Sequence, residues 1–337
     1  MGAAPPIPPP LKGRNVDRSA TPGRTADDMS RAAGLKAILP QWCATALGSE
    51  PVGTLFESGH LASVHGLALA DGRNVVIKVR PPQPRLLGTW QVQRHLYENG
   101  FPCPAPLAPP SPIAQDLVAS AEALVEGRPL PRVPADGARR YAALLSRLIE
   151  TAPPADSVSP LLPPPEWVWW DHPFPGLWPP ADDRADDLNS GSGGGSRLRE
   201  VGRRLRDRLA ESRQLPAVVG HADFESQNIR WTPRLEVAAV DDWDSVTSGP
   251  ECLFAGAAAA MWTADGTPGA ASVDQTAEFL TAYNLARSEP MTAGETELAW
   301  AAGLWVRTFN AVKDLADGLG DTLPQAETDQ RLRRAGA

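Results

Sequence analysis

Two segments in the second half of the chain constrain its fold most, because each joins an apolar, strand-like run to a cluster of polar side chains. The first is VVGHADFESQNI at residues 218–229, and the second is VAAVDDWD at residues 237–244. Polar residues at strand ends lie on loops held by a rigid scaffold, where binding and catalytic residues are usually found. The two segments therefore predict a functional site built at strand ends.

The overall composition limits the classes of protein that fit these segments. A chain of 337 residues can form one large domain or two modest ones with a buried core. The formal net charge of −8 argues against a nucleic-acid or anionic-membrane partner, because both need clustered Lys and Arg. The three cysteines are far apart and indicate neither a disulfide framework nor a zinc site. No secretory signal and no apolar run of membrane-spanning length is apparent, so we expect a cytoplasmic protein.

The first part of the chain predicts a disordered tail, a helix and a β-rich unit. Residues 1–27 are rich in Pro, Gly, Arg and Ser, a composition typical of disorder. The periodicity predicts helices at 28–47 and 89–99, and strands at 52–56, 62–70, 74–79, 117–119 and 123–125. Asp71-Gly72 is a hairpin signal between two of these strands. The proline-studded segment 102–112 is expected to be a connection.

The rest of the chain is expected to be mostly helical. We place the boundary between two lobes at residues 126 and 127, giving an N-terminal lobe of 28–126 and a C-terminal lobe of 127–325. An insertion rich in Pro and Trp is expected at 153–196, and a flexible tail at 326–337. Ser272 with Gln275, and Thr292 with Glu295, each have the spacing of a capping box that begins a helix.

The polar residues of the two segments suit phosphoryl transfer. That reaction needs a carboxylate to orient the acceptor hydroxyl and oxygen ligands for a magnesium ion on the triphosphate. Asp223, Asn228 and Asp242 supply these groups. Lys78 interrupts an apolar strand and is the candidate cation for phosphate, because its stem can pack while its ammonium reaches a cleft. One hairpin earlier, Ser58-Gly59 can cover the phosphates, since glycine permits close backbone approach.

Together these motifs resemble the aminoglycoside phosphotransferase and choline kinase family. The H-G-D-x-x-x-x-N catalytic loop of that family is similar to His221–Asn228, with Ala222 in place of the glycine. Its metal motif is similar to residues 241–244, and its strand lysine to Lys78. The resemblance covers about residues 31–320 and implies an α+β, bilobal protein-kinase-like fold, with a small β-rich N-lobe and a larger, mostly helical C-lobe.

The resemblance also implies an ATP- and Mg2+-dependent small-molecule kinase. In that reading Asp223 is the catalytic base, Asn228 and Asp242 bind the metal, and His221 is structural in the catalytic loop. Lys78, with Ser58 and Gly59, would bind the phosphates, and backbone groups of Ala123 and Val125 would bind adenine. The acceptor would be a hydroxyl of an aminoglycoside-like antibiotic, an amino alcohol or a sugar, and a cationic acceptor would suit the acidic protein.

Two positions depart from the family pattern. The lysine's usual partner is a glutamate on the following helix, yet residues 89–96 offer only Gln91 and Gln93. The family also often has an aspartate three residues after the proline of a G-D-P-x-x-D segment, whereas Leu253 stands three residues after Pro250 here. Support for the catalytic loop must therefore come from elsewhere.

Several residues have two interpretations at this stage. Asp244 either contacts a second metal ion or an amine of the substrate, or it is simply solvated. Trp167, Trp170 and Trp178 either line an acceptor pocket, which aromatic faces and nearby carboxylates would suit, or attach the insertion to the helical lobe.

Two other functions compete with kinase activity. The missing helix glutamate favours a nucleotide-binding pseudokinase that acts as a binding module. A dinuclear metallohydrolase built on His221, Asp223 and the 241–242 pair is the third reading, although further histidines at suitable spacing are absent. Neither the acceptor nor the oligomeric state can be read from the sequence.

Overall fold

The N-terminal elements form a five-stranded antiparallel sheet with two helices. A computed structural model of the chain describes residues 26–59, 62–129, 136–190, 195–263 and 270–337. The elements of this region are α1 (Ala26–Leu47), β1 (Pro51–Gly59), β2 (Ser63–Leu69), β3 (Asn74–Arg80), α2 (Leu86–Glu98), β4 (Pro106–Ala114) and β5 (Leu117–Ala123). The strand order is β1-β2-β3-β5-β4. The predicted disordered tail falls outside the described residues, apart from its last two positions, which begin α1.

The central strand β3 has two chemically different faces. Val75, Ile77 and Val79 are buried in a hydrophobic cluster that includes Leu39 and Trp42 of α1. Side chains alternate between the faces of a strand, so Lys78 lies on the opposite face. The strand therefore packs one face into the core and presents its lysine on the other.

Strand β4 was not predicted. It contains four prolines, which cannot donate a hydrogen bond to a neighbouring strand, and the sequence therefore favoured a connection. In the structure β4 is the edge strand next to β5, with irregular register at three points. An edge position tolerates proline because one side of the strand needs no partner.

The prediction of two strands at 117–119 and 123–125 was wrong. A single strand, β5, covers this region and ends at Ala123. Ala119 and Ala121 are buried on the core face, and Ser120 and Glu122 lie on the other. This alternation was hard to recognise because alanine marks a buried face only weakly.

The C-terminal elements form a mostly helical lobe with two small two-stranded sheets. They are α3 (Gly137–Thr151), α4 (Ser196–Leu209), β6 (Ala217–His221), β7 (Ile229–Trp231), β8 (Val237–Val240), β9 (Val246–Pro250), α5 (Glu251–Met261), α6 (Val273–Ala286), α7 (Ala293–Ala316) and α8 (Gln325–Ala335). Strand β6 pairs with β9, and β7 with β8. Both predicted capping boxes are confirmed, at the starts of α6 and α7.

Helices α5 and α7 pack closely because small residues face each other. A Cβ atom added at Gly256 would lie 2.0 Å from the backbone oxygen of Ala299, which leaves no room for any larger side chain. This contact fixes α5, which follows directly after β9, against the longest helix of the lobe. The sheet of β6 and β9 is therefore held on a rigid base.

The prediction of a flexible tail at 326–337 was wrong. Residues 325–335 form α8, in which Arg331, Leu332 and Ala335 are buried. Arg331 pairs with Glu327 one turn earlier, at 2.9 Å, and lies over the ring of Trp300. The charged composition of this segment suggested a solvated tail, but paired charges and an apolar stripe make it a packed helix.

None of the helices within the described ranges has both the length and the apolar character needed to cross a membrane.

Candidate active site

His221 joins the catalytic loop to the loop that follows β8. Its Nε2 lies 3.0 Å from the backbone oxygen of Asp241, and its Nδ1 lies 3.2 Å from the backbone nitrogen of Asp223. A carbonyl can only accept and an amide N–H can only donate, so the ring is neutral, with its proton on Nε2. Complete burial lowers the pKa of His221 and favours the same neutral form. The ring therefore acts as a bridge between the two loops.

Asp223 is held by Asn228 at the other end of the catalytic loop. The Asn228 amide nitrogen donates to the Asp223 carboxylate and to its backbone oxygen, both at 2.8 Å. Burial, and next the charge of Asp242, raise the pKa of Asp223 to about 7. Because the amide nitrogen is directed at Asp223, the Asn228 side-chain oxygen is the atom left to bind a metal.

Asp242 lies at a sharp turn between β8 and β9. Its backbone is in the left-handed region, with φ 62° and ψ 50°, which aspartate tolerates better than most residues. Ser245 donates to its carboxylate at 3.2 Å, and the carboxylate is partly exposed toward the cleft. The preceding residue, Asp241, instead forms an ion pair with Arg230. The turn thus directs the two adjacent aspartates to different partners.

Lys78 contacts carboxylates from both lobes. Its Nζ lies 3.6 Å from a carboxylate oxygen of Glu122 on β5 and 4.0 Å from one of Asp242. Burial alone would lower the pKa of Lys78, but the carboxylates of Glu122, Asp244 and Asp242 together raise it above its ordinary value. Lys78 is therefore a charged group at the junction of the lobes.

Asp244 forms an ion pair across the lobes rather than lying in solvent. One of its carboxylate oxygens is 2.8 Å from an Nη atom of Arg80, which is buried on β3. Burial opposes the charge on Asp244, yet Arg80, Lys78 and Arg85 together lower its pKa. Asp244 is therefore part of the charge network around Lys78, on the side of the cleft away from Asp223.

The other residues expected to contact nucleotide lie around the N-terminal sheet. Ser58 and Gly59 are the last two residues of β1, paired with the start of β2. Ala123 ends β5, and its backbone nitrogen donates to the Ala105 oxygen at 2.8 Å. The Ala123 amide is thus already occupied within the protein.

A cavity of about 210 Å3 lies next to Asp223. Its lining residues are Trp167, Ala222, Asp223, Phe224, Glu225, Gln227, Ala257, Met261, Val306 and Asn310. Burial, and next the neighbouring charge of Asp223, raise the pKa of Glu225 well above its usual range. None of the described residues that line this cavity is a lysine or arginine. The cavity therefore combines the buried carboxyl group of Glu225 and the partly buried one of Asp223 with two aromatic side chains, and the described residues of its wall supply no compensating cation.

The three candidate tryptophans of the insertion, Trp167, Trp170 and Trp178, lie in different places. Trp167 lines the cavity, and its indole nitrogen donates to the backbone oxygen of Ala222 at 3.0 Å. Trp178 is 1% exposed and packs against Trp305, and Trp170 is 4% exposed, with Arg213 over its ring. Trp170 and Trp178 do not line the cavity, and their burial assigns them to attachment of the insertion.

The catalytic loop is supported without the missing aspartate after Pro250. Glu251 at this point forms an ion pair with Arg287 and accepts from Tyr283, so it serves α6 rather than the loop. The Trp167 bond described above supports the loop at Ala222, whose own amide donates to the Ser245 oxygen at 3.0 Å. The insertion and the turn after Asp242 thus replace the aspartate.

Sequence reasoning missed three residues of this arrangement: Glu122, Arg80 and Glu225. Arg80 could have been found from strand alternation, since it lies two residues after Lys78 on β3, whereas Glu122 becomes a neighbour only through the pairing of β3 with β5. Glu225 lies two residues after Asp223 on an irregular loop, where no periodicity indicates side-chain direction.

Comparisons with known proteins agree with this geometry. The sequence matches the family described as "Phosphotransferase enzyme family" over residues 53–291. No curated protein matches it in sequence. Among solved structures, amicoumacin kinase hAmiN, in complex with AMP-PNP, Ca2+ and Ami, has a TM-score of 0.54 at 14% identity, covering 95% of each chain.

Two further solved structures have the same fold. A thermostable mutant of aminoglycoside phosphotransferase APH(4)-Ia has a TM-score of 0.54 at 16% identity, covering 88% of this chain and 97% of its own. Spectinomycin phosphotransferase APH(9)-Ia, in complex with ADP and spectinomycin, has a TM-score of 0.50 at 14% identity, covering 88% of this chain and 92% of its own. The chain belongs to the phosphotransferase enzyme family and has the α+β, bilobal protein-kinase-like fold that its sequence predicted.

Proposed function

We propose that the protein transfers the γ-phosphate of ATP to a hydroxyl group of a small molecule. The observation that carries this proposal is the position of Asp223, which borders the 210 Å3 cavity and is anchored by Asn228, a candidate metal ligand. A carboxylate between an acceptor cavity and a metal-binding side chain suits phosphoryl transfer, where positioning and charge stabilisation provide most of the catalysis.

The nucleotide is proposed to bind between the N-terminal sheet and the turn that contains Asp242. Lys78 would contact the phosphates, and Ser58 and Gly59, at the end of β1, would cover them. The Ala123 carbonyl and the Val125 backbone would bond the adenine edge. Solved relatives in complex with AMP-PNP and with ADP support a nucleotide in this fold.

The residues present fit magnesium as the metal. The side-chain oxygen of Asn228 and the carboxylate of Asp242 are hard oxygen donors, and Mg2+ usually takes only one or two protein ligands beside phosphate oxygens and water. The Asp241 amide donates to the Asn228 backbone oxygen at 2.7 Å, which ties together the two loops that carry these ligands. When bound, the metal would neutralise charge on the phosphates.

Asp223 is proposed to orient the acceptor hydroxyl and to take its proton. The hydroxyl oxygen forms the new bond to the γ-phosphorus while the bond from phosphorus to the bridging oxygen of ADP breaks. A carboxylate with a pKa of about 7 is suited to this role, since the most effective general base has a pKa near the working pH.

The cavity favours a small, cationic acceptor. Its volume of about 210 Å3 is below the roughly 300–1,000 Å3 of pockets for drug-sized ligands. Asp223 and Glu225 place two carboxyl groups against it, and Trp167 adds an aromatic face, a combination that attracts an amine. Among the acceptors considered, a small amino alcohol fits this description better than an aminoglycoside or a neutral sugar.

A binding-only pseudokinase is less well supported than catalysis. The observation that favoured it was the absence of a helix glutamate beside Lys78. Glu122 supplies a carboxylate at 3.6 Å from the lysine, and Asp223, Asn228 and Asp242 are all present in one cleft. A metallohydrolase is not favoured, because no group of three or more His, Cys, Asp or Glu side chains among the described residues is arranged to hold a metal.

The proposal is tested by measuring ADP release with MgATP against a panel of amino alcohols, sugars and aminoglycosides. We expect at least one small hydroxylated amine to stimulate ADP release in the parent protein. The Asp223→Asn variant should then lose about 10²–10⁴-fold in kcat, since it cannot accept the proton.

The control is Asp207→Asn, which changes an exposed aspartate on α4 in the same way. We expect this variant to match the parent. If the Asp223→Asn protein is folded and as active as the parent, the proposed role of Asp223 is wrong.

A further inference from the structure

We propose that Glu122, on strand β5, is the positioning residue for Lys78, taking over the part that a helix glutamate plays elsewhere in this fold. The inference rests on the proposed function, in which Lys78 binds the phosphates of ATP. Glu122 thereby supplies, from the central sheet, the carboxylate that residues 89–96 of the helix lack.

Strand register places Glu122 beside the lysine. In the antiparallel pair β3 and β5, Val76 lies opposite Glu122 and Lys78 lies opposite Ser120. Residues two apart on a strand share a face, so Glu122 and Lys78 are diagonal neighbours on the face turned away from α1. The contact is therefore set by backbone pairing, with no loop between its members.

The pair is enclosed, which makes it sensitive to loss of either charge. The side chains of Lys78 and Glu122 are 12% and 11% exposed. A carboxylate at 3.6 Å in such a site both fixes the ammonium and offsets its desolvation. Of the two carboxylates that contact Lys78 Nζ, that of Asp242 is the candidate metal ligand, so Glu122 is the one left to hold the lysine.

Helix α2 provides an amide where the carboxylate was expected, and that amide fixes Glu122. The Gln93 side-chain nitrogen donates to the second carboxylate oxygen of Glu122 at 2.9 Å and to the Pro104 backbone oxygen at 3.0 Å. Gln91, the other helix candidate, instead accepts from the Ser159 amide at 2.6 Å and so serves the insertion. Gln93 therefore holds Glu122, and Glu122 in turn holds Lys78. The negative charge that the family pattern places on the helix is here on strand β5.

The location of the carboxylate on a strand rather than on α2 affects how the pair responds to movement of the helix. Glu122 and Lys78 belong to adjacent strands of one sheet, so a displacement of α2 leaves their separation unchanged. When the carboxylate is on the helix, the same displacement would break the pair. A displacement of α2 would remove the hydrogen bond from Gln93 but would leave the strand register that places Glu122 beside Lys78.

The proposal is tested by moving the carboxylate back to the helix. Glu122→Gln removes the charge while preserving the side-chain shape, and we expect it to raise the KM for ATP by about tenfold or more, because a buried charge-assisted contact is lost. The double variant Gln93→Glu with Glu122→Gln restores one carboxylate to the group. It should return the KM for ATP to within about threefold of the parent, and the KM for the acceptor should change in neither protein.

The matched control is Gln91→Glu, which adds the same charge to the same helix on the side of Ser159. It should not rescue Glu122→Gln. A folded Glu122→Gln protein with the parent's KM for ATP overturns the inference, and so does a double variant no better than Glu122→Gln.

The double variant and the Asp223 and Lys78 variants distinguish a folding defect, a wrong role for Glu122 and a wrong proposed function. If Glu122→Gln alone does not fold, the double variant is compared directly with the parent: a similar KM for ATP supports the proposal, and a loss of tenfold in a folded protein overturns it. Failure of the proposed function would look different, since Asp223→Asn and Lys78→Met would then leave ADP release unchanged.

Discussion

The two sides of the cleft differ in how their buried charges are compensated. On the nucleotide side, Lys78 and Arg80 lie against Glu122 and Asp244 in contacts of 3.6 Å and 2.8 Å. On the proposed acceptor side, Asp223 and Glu225 border the cavity, and none of the described residues in its wall carries a positive charge. The charges around Lys78 and Arg80 are neutralised by side chains of the protein, and we call this the balanced side. The carboxyl groups at the cavity have no such partner, and we call this the unbalanced side.

The opposite pKa shifts of two aspartates show what this difference does. The pKa of Asp244 is lowered by Arg80, Lys78 and Arg85 despite its burial, whereas burial and Asp242 raise that of Asp223 to about 7. Removing one partner on the balanced side should destabilise the fold, because it leaves the other charge buried and uncompensated. The unbalanced side costs stability, and a cationic metal or acceptor would reduce that cost, which is how a binding site gains affinity for a cation.

The largest expected effect is on the balanced side. Asp244→Asn leaves the Arg80 guanidinium buried, where its Nε and one Nη already have no hydrogen-bond partner among the described residues. We expect the free energy of unfolding to fall by about 3 kcal/mol, the typical cost of breaking a buried pair from one side. Urea denaturation at pH 7 measures it.

The control for this change is Asp71→Asn, which removes an exposed aspartate paired with Arg73 at 2.6 Å. Solvent screens that pair, so the urea midpoint should match the parent. Equal midpoints for the Asp71 and Asp244 variants would contradict the view that the nucleotide side is stabilised by its charge balance.

On the unbalanced side, we expect a substitution to raise the free energy of unfolding rather than to lower it. The pKa of Asp223 is about 7 in the folded protein against 3.8 for an ordinary aspartate, so the folded state binds more protons between these values. Stability should therefore fall as pH rises from about 4 to 7, and the cost should be fully present above 7. Asp223→Asn removes it and should raise the free energy of unfolding at pH 8.

The measurement is thermal or urea unfolding of parent and Asp223→Asn at pH 4.5 and pH 8, with EDTA to exclude bound metal. The difference in the free energy of unfolding between Asp223→Asn and the parent should shrink toward zero at pH 4.5. An Asp223→Asn protein less stable than the parent at pH 8 would mean that the carboxylate is compensated by a partner.

The smallest effect concerns acceptor choice. A bound amine would favour the ionised form of Glu225 despite its raised pKa. Glu225→Gln cannot ionise, so we expect the KM for a small amino alcohol to rise about tenfold, equal to about 1.4 kcal/mol. The KM for a neutral alcohol of the same size should not change, nor should that for ATP. An equal rise for the charged and neutral acceptors would show that Glu225 shapes the cavity rather than recognising charge.

Local patterns were enough to predict much of this protein. The paired polar segments around Asp223 and Asp242, with Lys78 before them, are short motifs whose residue types follow from the chemistry, and they led to the correct family and fold. The capping boxes of α6 and α7 were also predictable, because both partners lie within one helical turn. Strand β4 and helix α8 were missed, because an edge position and a set of buried ion pairs overrode the local composition.

The sequence by itself determined which groups are available: a carboxylate and an amide at either end of one loop, a second carboxylate after the next strand, and a lysine on an apolar strand. The tertiary structure alone decided their partners. Glu122 is 44 positions from Lys78 in the sequence and becomes its neighbour only through the pairing of β3 with β5. Trp167 reaches the catalytic loop, while Trp178, eleven positions later, is buried in the core. Contacts between distant positions depend on register and packing, which no local pattern specifies.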